Sequence, residues 1–282
     1  MATRALRTSW VAPLRLSKYL AVLNTAINER LVYRTDFLLS TMLRFAPIAT
    51  TVLLWKAVFA GSGRSELAGY RFEDVIAYYL FTTLGRAFSS MPGLAMGIAR
   101  DIRQGTIHRF LLQPIDLIGY LLAYRIAHKL VYYLIAAVPF AVLFTLCHGF
   151  LPGWPTAERF ALGVVSLLLA FLLGFHLECC FGLLGFWFLE VSGFLYIMMG
   201  VNYFFSGHMI PLDLLPSAVR TVAAALPFQY LAYFPATVWL QRTPTEEVVH
   251  GLFIQAAWVA AAVLASRVLL RRGLRRYTAF GG

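Results

Sequence analysis

Residues 160–181 read FALGVVSLLLAFLLGFHLECCF, an apolar run whose ionisable groups, apart from two cysteines, are His176 and Glu178. A helix that crosses the hydrocarbon core of a membrane needs about 20 predominantly apolar residues, so this run alone predicts a transmembrane helix. The whole chain has the same character: 60% of its 282 residues are hydrophobic, 13% are charged, and the mean hydropathy is +0.72. Soluble globular proteins carry about 25% charged residues, so we expect a helical membrane protein.

Other runs of this kind predict six spanning helices in all, which makes the chain an all-α polytopic membrane protein. The predicted spans are Phe37–Phe59, Val75–Ile98, Leu130–Cys147, Phe160–Phe181, Val191–Met209 and Val248–Leu270. Segments with glycine, proline and charge separate them, as expected for loops. We therefore predict a transmembrane domain over residues 37–270, preceded by an arm over 1–36 and followed by a basic tail over 271–282.

The net charge of +11 comes from 24 Lys and Arg residues against 13 Asp and Glu residues. Nucleic-acid binding requires cations on a soluble surface, whereas membrane proteins concentrate them in cytoplasmic loops. Of the 24 cations, 16 fall in residues 1–34, in residues 99–129 and in the tail from residue 267 onward. With six spans these three segments share one side, so we expect cytoplasmic termini and no nucleic-acid partner.

Residues 14–34 predict an amphipathic helix ahead of the first span. Apolar side chains recur there every three or four positions, at Leu16, Leu20, Leu23, Ile27 and Leu31. Such a helix either lies in the plane of the lipid headgroups or docks on a partner protein.

A short cytoplasmic helix is predicted in the loop formed by residues 99–116. Gly105 ends the preceding helix, Thr106 is the predicted N-cap, and Pro114 is the predicted end. The apolar side chains of this helix form one stripe, which consists of Ile107, Phe110 and Leu111. Because nothing obvious in the chain covers this stripe, we expect it either to dip into lipid or to dock into a groove of a cytoplasmic partner.

After the fifth span, residues 210–245 remain apolar but are interrupted by prolines. Asp213 can cap a helix that runs to Leu226, and a second helix is predicted from Phe228 to Leu240. Each would be about 20 Å long, which is too short for a hydrocarbon core of ~30 Å. We therefore predict an outer helical pair that is re-entrant or lies on the surface, and that covers the outer end of another part of the molecule.

Glycines mark possible helix contacts in two of the predicted spans. Gly93 and Gly97 form a G-x-x-x-G pair, and Gly193, Gly200 and Gly207 recur every seven residues along the fifth span. Small residues let membrane helices approach closely, so this second stripe predicts either packing within the subunit or a dimer seam.

Ionisable side chains within the spans are functional candidates, because charge is costly in hydrocarbon. Arg86 lies near the middle of the second span. It either pairs with a carboxylate such as Glu178 or Glu190, or it lines a translocation path and contacts an anionic headgroup. Glu178, Asn202 and His208 are the other candidates for that path.

The sequence lacks the common motifs of catalytic and nucleotide-binding sites. It contains no G-x-S-x-G elbow and no H-E-x-x-H or C-x₂-C metal pattern. None of its three lysines follows a glycine, so it has no P-loop. We therefore expect neither enzymatic activity nor a metal or cofactor site in this chain.

Residues 102–115, IRQGTIHRFLLQPI, resemble the cytoplasmic loop of type-2 ABC exporter permeases, in which a Gly-Thr/Ile step leads into a short coupling helix that ends at Leu-x-x-Pro. Residues 205–216, FSGHMIPLDLLP, resemble the family's signature after the fifth span, together with LPFQY at 226–230 and YFP at 233–235. The resemblance is strongest to a bacterial branch of the family, and its order of elements covers nearly the whole chain.

The resemblance implies a permease subunit of an ATP-driven exporter in a bacterial plasma membrane. Such a subunit dimerises with an identical or related permease and carries two separate ATPase subunits, which bind the ATP and Mg²⁺. The residues that the resemblance assigns to ATPase coupling are Arg103, Gly105, Thr106, Ile107, Arg109, Phe110, Leu111 and Pro114. The cargo stays open among drugs, lipids, glycans and peptides. A stand-alone secondary carrier or channel is the alternative function, and a membrane-embedded lipid enzyme is a third.

Overall fold

The computed structural model of the chain describes residues 16–32, 46–112, 115–188 and 190–277. Its helices are α1 (Leu16–Val32), α2 (Ala46–Ser62), α3 (Phe72–Ser89), α4 (Leu94–Arg103), α5 (His108–Leu111), α6 (Leu117–Leu146), α7 (Ala157–Leu183), α8 (Ser192–Phe205), α9 (Ser217–Ala224), α10 (Tyr233–Trp239) and α11 (Thr245–Arg276). Strands β1 (Glu66–Leu67) and β2 (Tyr70–Arg71) form an antiparallel hairpin. Short 3₁₀ turns occupy His148–Phe150, Leu184–Phe186, Leu212–Leu214 and Pro227–Leu231.

Three helices of the described chain are long and apolar enough to cross a membrane, and they correspond to the predicted third, fourth and sixth spans. They are Leu117–Leu146, Ala157–Phe186 and Thr245–Arg276. The described part of α2 has 17 residues and α8 has 14, which at 1.5 Å per residue is less than a ~30 Å core. The fold agrees with an all-α membrane protein. Of the six predicted spans, three are present at full length within the described residues. The start of the predicted first span lies outside those residues.

The predicted second span, Val75–Ile98, consists of two helices instead of one. Helix α3 ends at Ser89, and α4 begins only at Leu94. Gly93 adopts a φ of 74°, a left-handed conformation that a continuous right-handed helix does not contain. The residues of the break, Ser90-Met91-Pro92-Gly93, include a Pro-Gly pair that is typical of turns. The prediction followed the apolar residues on either side and passed over this signal.

Helix α7 is the centre of the bundle and packs against α3, α4, α10 and α11. Glycines on α7 permit these close approaches. A Cβ atom at Gly174 would overlap the carbonyl oxygen of Ser89, and one at Gly182 would lie 2.7 Å from the carbonyl oxygen of Ala95. The two halves of the broken second helix therefore rest on two glycines of the same neighbour.

Buried polar side chains join α7 to α11. The hydroxyl of Ser166 donates to Oε1 of Gln255 at 3.1 Å, and Nε2 of Gln255 donates to the carbonyl oxygens of Ser166 and Tyr230 at 3.0 and 2.9 Å. Further along the same two helices, Nδ1 of His176 lies 2.9 Å from Oγ of Ser266. Polar groups buried in an apolar bundle need such partners, and His176 finds its partner in this interhelical contact.

The amphipathic helix predicted over residues 14–34 is present as α1, and it packs along α6. Ala26 of α1 is buried. A Cβ atom at Gly119 of α6 would lie 2.9 Å from the hydroxyl oxygen of Tyr19. The N-terminal helix is therefore part of the folded bundle.

Residues 210–245, which were predicted to lie on the outer side and are called the outer segment here, are folded, but their helices are shorter than predicted. Helix α9 has eight residues and α10 has seven, with 3₁₀ turns before each of them. The predicted cap at Asp213 is wrong: Pro216 precedes α9, and the Asp213 carboxylate accepts hydrogen bonds from two tyrosines instead. Helix α10 packs against α3 and α7, with Ala236 and Val238 fully buried.

Candidate functional site

The loop between α4 and α6, which was predicted to be cytoplasmic, is held together by hydrogen bonds around Asp101. The Asp101 carboxylate accepts a hydrogen bond from the Thr106 hydroxyl at 2.9 Å and lies 3.8 Å from the Arg109 guanidinium. The carbonyl oxygen of Asp101 accepts a hydrogen bond from the N–H of Ile107 at 3.1 Å. The Thr106 hydroxyl is therefore bound to Asp101. The predicted N-cap at Thr106 is wrong, since Ile107 is the residue before α5 and forms no side-chain cap.

Two of the three residues in the predicted apolar stripe pack into the protein. Ile107 is 1% exposed and belongs to a core cluster, and Phe110 packs against that cluster with its ring 5.1 Å from the ring of Tyr120. The expectation that nothing in the chain covers the stripe is wrong. The covering residues come from α4, α6 and α7 and include Ile102, Leu117, Ile118, Phe171 and Phe175.

The apolar side chain that α5 leaves exposed is Leu112, which is 83% exposed. His108 and Arg109 are exposed beside it. The side chain of Leu111 and the whole of Pro114 lie outside the described residues. Among the side chains that the structure describes, the loop therefore presents Leu112 beside the basic His108 and Arg109, on a base that is anchored in the core.

Gly105 forms the turn between α4 and α5. Its φ of 74° is readily accessible only to glycine. Its carbonyl oxygen accepts a hydrogen bond from the hydroxyl of Tyr277 at 3.1 Å and lies 2.6 Å from Nδ1 of His108. Tyr277 directly follows α11, so the end of the last helix braces this loop.

Arg103, at the end of α4, is bound to the connection between α7 and α8. Its guanidinium donates a hydrogen bond to Oε2 of Glu190 at 2.7 Å, and the N–H of Ser192 donates to Oε1 at 2.8 Å. The hydrogen bonds from Ser192, followed by the charge of Arg103, hold the pKa of Glu190 below its usual value of 4.5. Both groups are exposed, so this pair positions the loop more than it stabilises the fold.

Lys129 occupies the break between α3 and α4, although its position in the sequence placed it in a loop. It lies inside α6 and is 6% exposed, and its ammonium group donates to the carbonyl oxygens of Ala87 and, at 2.8 Å, Ser90. The hydroxyl of Tyr133 donates to the Ala87 oxygen at 3.1 Å. The last carbonyls of a helix lack donors within the helix, and a cation there also complements the helix dipole.

Arg86 lies in the last turn of α3, against α8 and the segment that follows it. Its guanidinium carbon is 5.1 Å from the centre of the Tyr203 ring. Tyr203 stacks on His208 with ring centres 5.7 Å apart, and Nδ1 of His208 lies 2.6 Å from the hydroxyl oxygen of Ser206. These contacts bring Arg86, Tyr203 and His208 into one cluster, which we call the Arg86 cluster.

Of the four residues predicted for a translocation path, the structure brings Arg86 and His208 together through Tyr203, which sequence reasoning missed. Asn202 precedes Tyr203 in α8, whereas Glu178 lies on α7 near Ala95 and Arg125. Arg86 forms no ion pair with either predicted carboxylate in the described part of the chain. The four residues were grouped by residue type alone, and the packing of the helices places Glu178 apart from Arg86 and His208.

The glycines of the predicted dimer seam have different surroundings. Gly193 and Gly200 are exposed on α8, and a Cβ atom at either would meet nothing within 4 Å in the described structure. Gly207 has a φ of 82°, and a Cβ atom there would lie 2.5 Å from the hydroxyl oxygen of Tyr78 and 2.8 Å from Cβ of Tyr233. Gly207 thus serves packing inside the subunit and does not share the open face of the other two.

The G-x-x-x-G pair of the predicted second span lines a cavity. Gly93 and Gly97 border a space of about 130 Å³ between α4, the loop and α6, together with Asp101, Phe110 and Tyr124. A Cβ atom at either glycine would meet no described atom within 4 Å. These glycines do not bring two helices of the described chain into close contact.

Comparison with known proteins supplies the family. A family described as "ABC-2 family transporter protein" matches residues 45–281, a range that contains every helix from α2 to α11. A search of curated proteins finds no match. The match spans the apolar helices, the loop between α4 and α6 and residues 210–245, and it identifies the chain as a membrane component of a transporter. The chain belongs to the ABC-2 family of transporters.

Proposed function

We propose that the chain is the permease subunit of an ATP-driven exporter, which forms the cargo path and receives the work of ATP hydrolysis from separate ATPase subunits. Family membership supports the role as a transporter component. The observation that carries the coupling role is the exposure of Leu112 at the tip of a loop whose base is buried.

The loop has the properties of a docking element that can transmit force. Its tip offers an apolar side chain among exposed cations, which suits a groove with an apolar floor and an acidic rim on a partner. Its base is tied to α4 through Asp101 and to the end of α11 through Tyr277. A displacement of the tip is therefore transmitted to both helices. Phe110 packs in the buried base of the loop and is not part of its tip.

The remaining parts of the proposal follow from charge and from the family. The excess of cations in residues 1–34, in the loop at 99–116 and in the tail supports a cytoplasmic location of these segments in a bacterial cell, with the chain in the plasma membrane. ATP and Mg²⁺ bind to the two ATPase partners. A second permease, identical or related, completes the transporter. Membrane lipid surrounds the rest.

A pull-down experiment tests the coupling. The tagged chain is purified from its host in detergent, and the co-purifying protein is identified by mass spectrometry and by ATP binding. We expect a P-loop ATPase, and we expect Leu112→Asp to reduce its recovery at least tenfold, because a carboxylate at the tip repels an acidic groove and cannot fill its apolar floor.

Trp154→Asp is the matched control. Trp154 is 97% exposed in the loop between α6 and α7, on the opposite side of the membrane in the proposed orientation. This variant should recover as much ATPase as the wild type. The proposal fails if no P-loop ATPase co-purifies, or if Leu112→Asp retains as much of it as Trp154→Asp does.

A further inference from the structure

Arg86 lies far from the start of α3, the helix that carries it. It follows Phe72, the first residue of α3, by fourteen positions, which corresponds to about 21 Å of helix axis. Arg86 lies near the middle of the apolar stretch Val75–Ile98 that was predicted as the second span, although α3 by itself is not among the described helices that are long and apolar enough to cross a membrane. Arginine in such a place is costly and marks a functional site unless a partner neutralises it.

No anionic group of the described chain neutralises Arg86. Its contact is the face of Tyr203, at 5.1 Å, and its side chain is exposed at the surface of the subunit. The acid nearest in sequence to α8, Glu190, is held by Arg103 and Ser192. The positive charge is therefore directed outward, toward whatever lies beside α3 and α8.

The Arg86 cluster also contains hydrogen-bonding groups without partners. Nε2 of His208 is buried and has no hydrogen-bond partner among the described residues. The hydroxyl group of Tyr203 likewise forms no hydrogen bond with them, and the ring of Tyr203 is 42% exposed. Buried polar atoms are normally paired, so the orphaned nitrogen points to a ligand that supplies the missing oxygen.

An apolar stripe leads away from the cluster along α8. Tyr196, Met199 and Tyr203 are spaced i, i+3 and i+7, which places them on one helix face, and they are 63%, 62% and 42% exposed. A ligand that reaches Arg86 with a polar end can lay an apolar tail on this stripe. Charge and shape together describe an anionic amphiphile.

We propose that Arg86, Tyr203 and His208 bind the phosphate-bearing, net-anionic headgroup of an amphiphilic cargo, whose tail lies along Tyr196 and Met199. A guanidinium presents a planar fork of donors that matches two phosphate oxygens. Tyr203 holds this fork in place through its ring. The site lies about 21 Å along α3 from the hairpin, which suits a headgroup on its way between the leaflets. The proposal names a cargo class for the permease proposed above and rests on that function.

Native mass spectrometry of the purified chain tests the site, with phosphatidylglycerol as the anionic probe and phosphatidylcholine as the neutral one. Arg86→Met removes the charge and keeps the length of the side chain. We expect it to weaken phosphatidylglycerol binding about tenfold and to leave phosphatidylcholine binding unchanged. Tyr203→Leu, at an exposed position that tolerates substitution, should weaken phosphatidylglycerol binding severalfold.

Arg220→Met is the matched control, because Arg220 is exposed on α9 and has no ion pair within the described chain. It makes the same charge change and should leave the binding of both lipids as in the wild type. The proposal is overturned if both variants of the cluster bind phosphatidylglycerol like the wild type, or if both lipids are lost equally.

Two further results would also overturn the proposal. Inorganic phosphate that displaces the lipid at equal concentration would indicate a site for a free anion. Arg86→Met that only changes the mass from a dimer to a monomer would show that a second copy of the chain supplies the partner of Arg86. Because the measurement needs no ATPase, its failure leaves the pull-down result standing, and failure of the pull-down leaves the lipid binding standing.

Discussion

The hydroxyl group of Tyr70 donates a hydrogen bond of 2.6 Å to Oδ2 of Asp213, across 143 residues of sequence. The hydroxyl of Tyr233 donates to the other oxygen at 2.7 Å. Burial, and then the hydrogen bond to Asp213, raise the pKa of Tyr70, so the hydroxyl remains a donor. The guanidinium of Arg242 covers the Tyr70 ring at 3.7 Å and donates to the carbonyl oxygen of Gly69. One carboxylate thus ties the hairpin ahead of α3 to the outer segment and to α10.

We predict that Tyr70→Phe lowers the free energy of unfolding by about 1.5–3 kcal/mol, because it removes a hydrogen bond to a charged, partly buried acceptor. Thermal or denaturant unfolding in detergent measures the change. Tyr196→Phe is the control, since the Tyr196 ring is 63% exposed and its hydroxyl has no hydrogen bond to described residues. Equal stability of the two variants would contradict a tie through Asp213.

Lys129→Met is expected to destabilise the break between α3 and α4. The Ser90 carbonyl loses its ammonium donor, and a buried carbonyl without a partner costs about 1–3 kcal/mol. Amide hydrogen exchange should accelerate around residues 87–93, and the melting temperature should fall. Lys56→Met, at an exposed position of α2, is the control and should change neither quantity. Unchanged exchange at the break in Lys129→Met would rule out the role of Lys129 as its anchor.

Gly174→Ala should be strongly destabilising, because its Cβ would overlap the backbone oxygen of Ser89 and neither backbone can move cheaply. Overpacking of this kind costs about 1–3 kcal/mol. Gly97→Ala is the matched change on α4, where a Cβ meets no described atom within 4 Å. It should be neutral or slightly stabilising, since alanine favours a helix over glycine. Melting temperatures compare the two, and a larger loss in Gly97→Ala would contradict the packing.

The contact between Arg103 and Glu190 should respond to acid only. The pKa of Glu190 is lowered in the folded chain, so its contribution is complete above the usual value of 4.5 and is lost as the pH falls through the lower folded value. Hydrogen exchange at the start of α8 should therefore be constant between about pH 5 and pH 8, once corrected for the intrinsic rate, and should rise below about pH 4.5. Glu190→Gln should show no such acid step. A step that persists in this variant would assign it to another group.

Apolar length was sufficient to predict that α6, α7 and α11 exist, because solvation by lipid depends mainly on the composition of a stretch. It did not predict that α6 begins at Leu117, thirteen residues before the predicted start at Leu130. The family that residues 102–115 and 205–216 resemble was confirmed by the family match over residues 45–281. The break at Gly93 was not predicted, although Pro92-Gly93 is a turn signal, because the apolar residues further out on both sides were given more weight. The Lys129 ammonium that caps the break comes from another helix, and no local pattern shows it.

The sequence by itself determined that the chain is a helical membrane protein of the ABC-2 family, since composition and short motifs act locally. Only the tertiary structure decided which side chains are exposed to a partner or ligand and which are buried or bound within the chain. It covered Ile107 and left Leu112 exposed, it placed Lys129 on a carbonyl 42 residues away, and it set Arg86 against Tyr203 instead of a carboxylate. These contacts join segments that are distant in the chain, and their partners are defined by helix packing, which no local pattern of residues specifies.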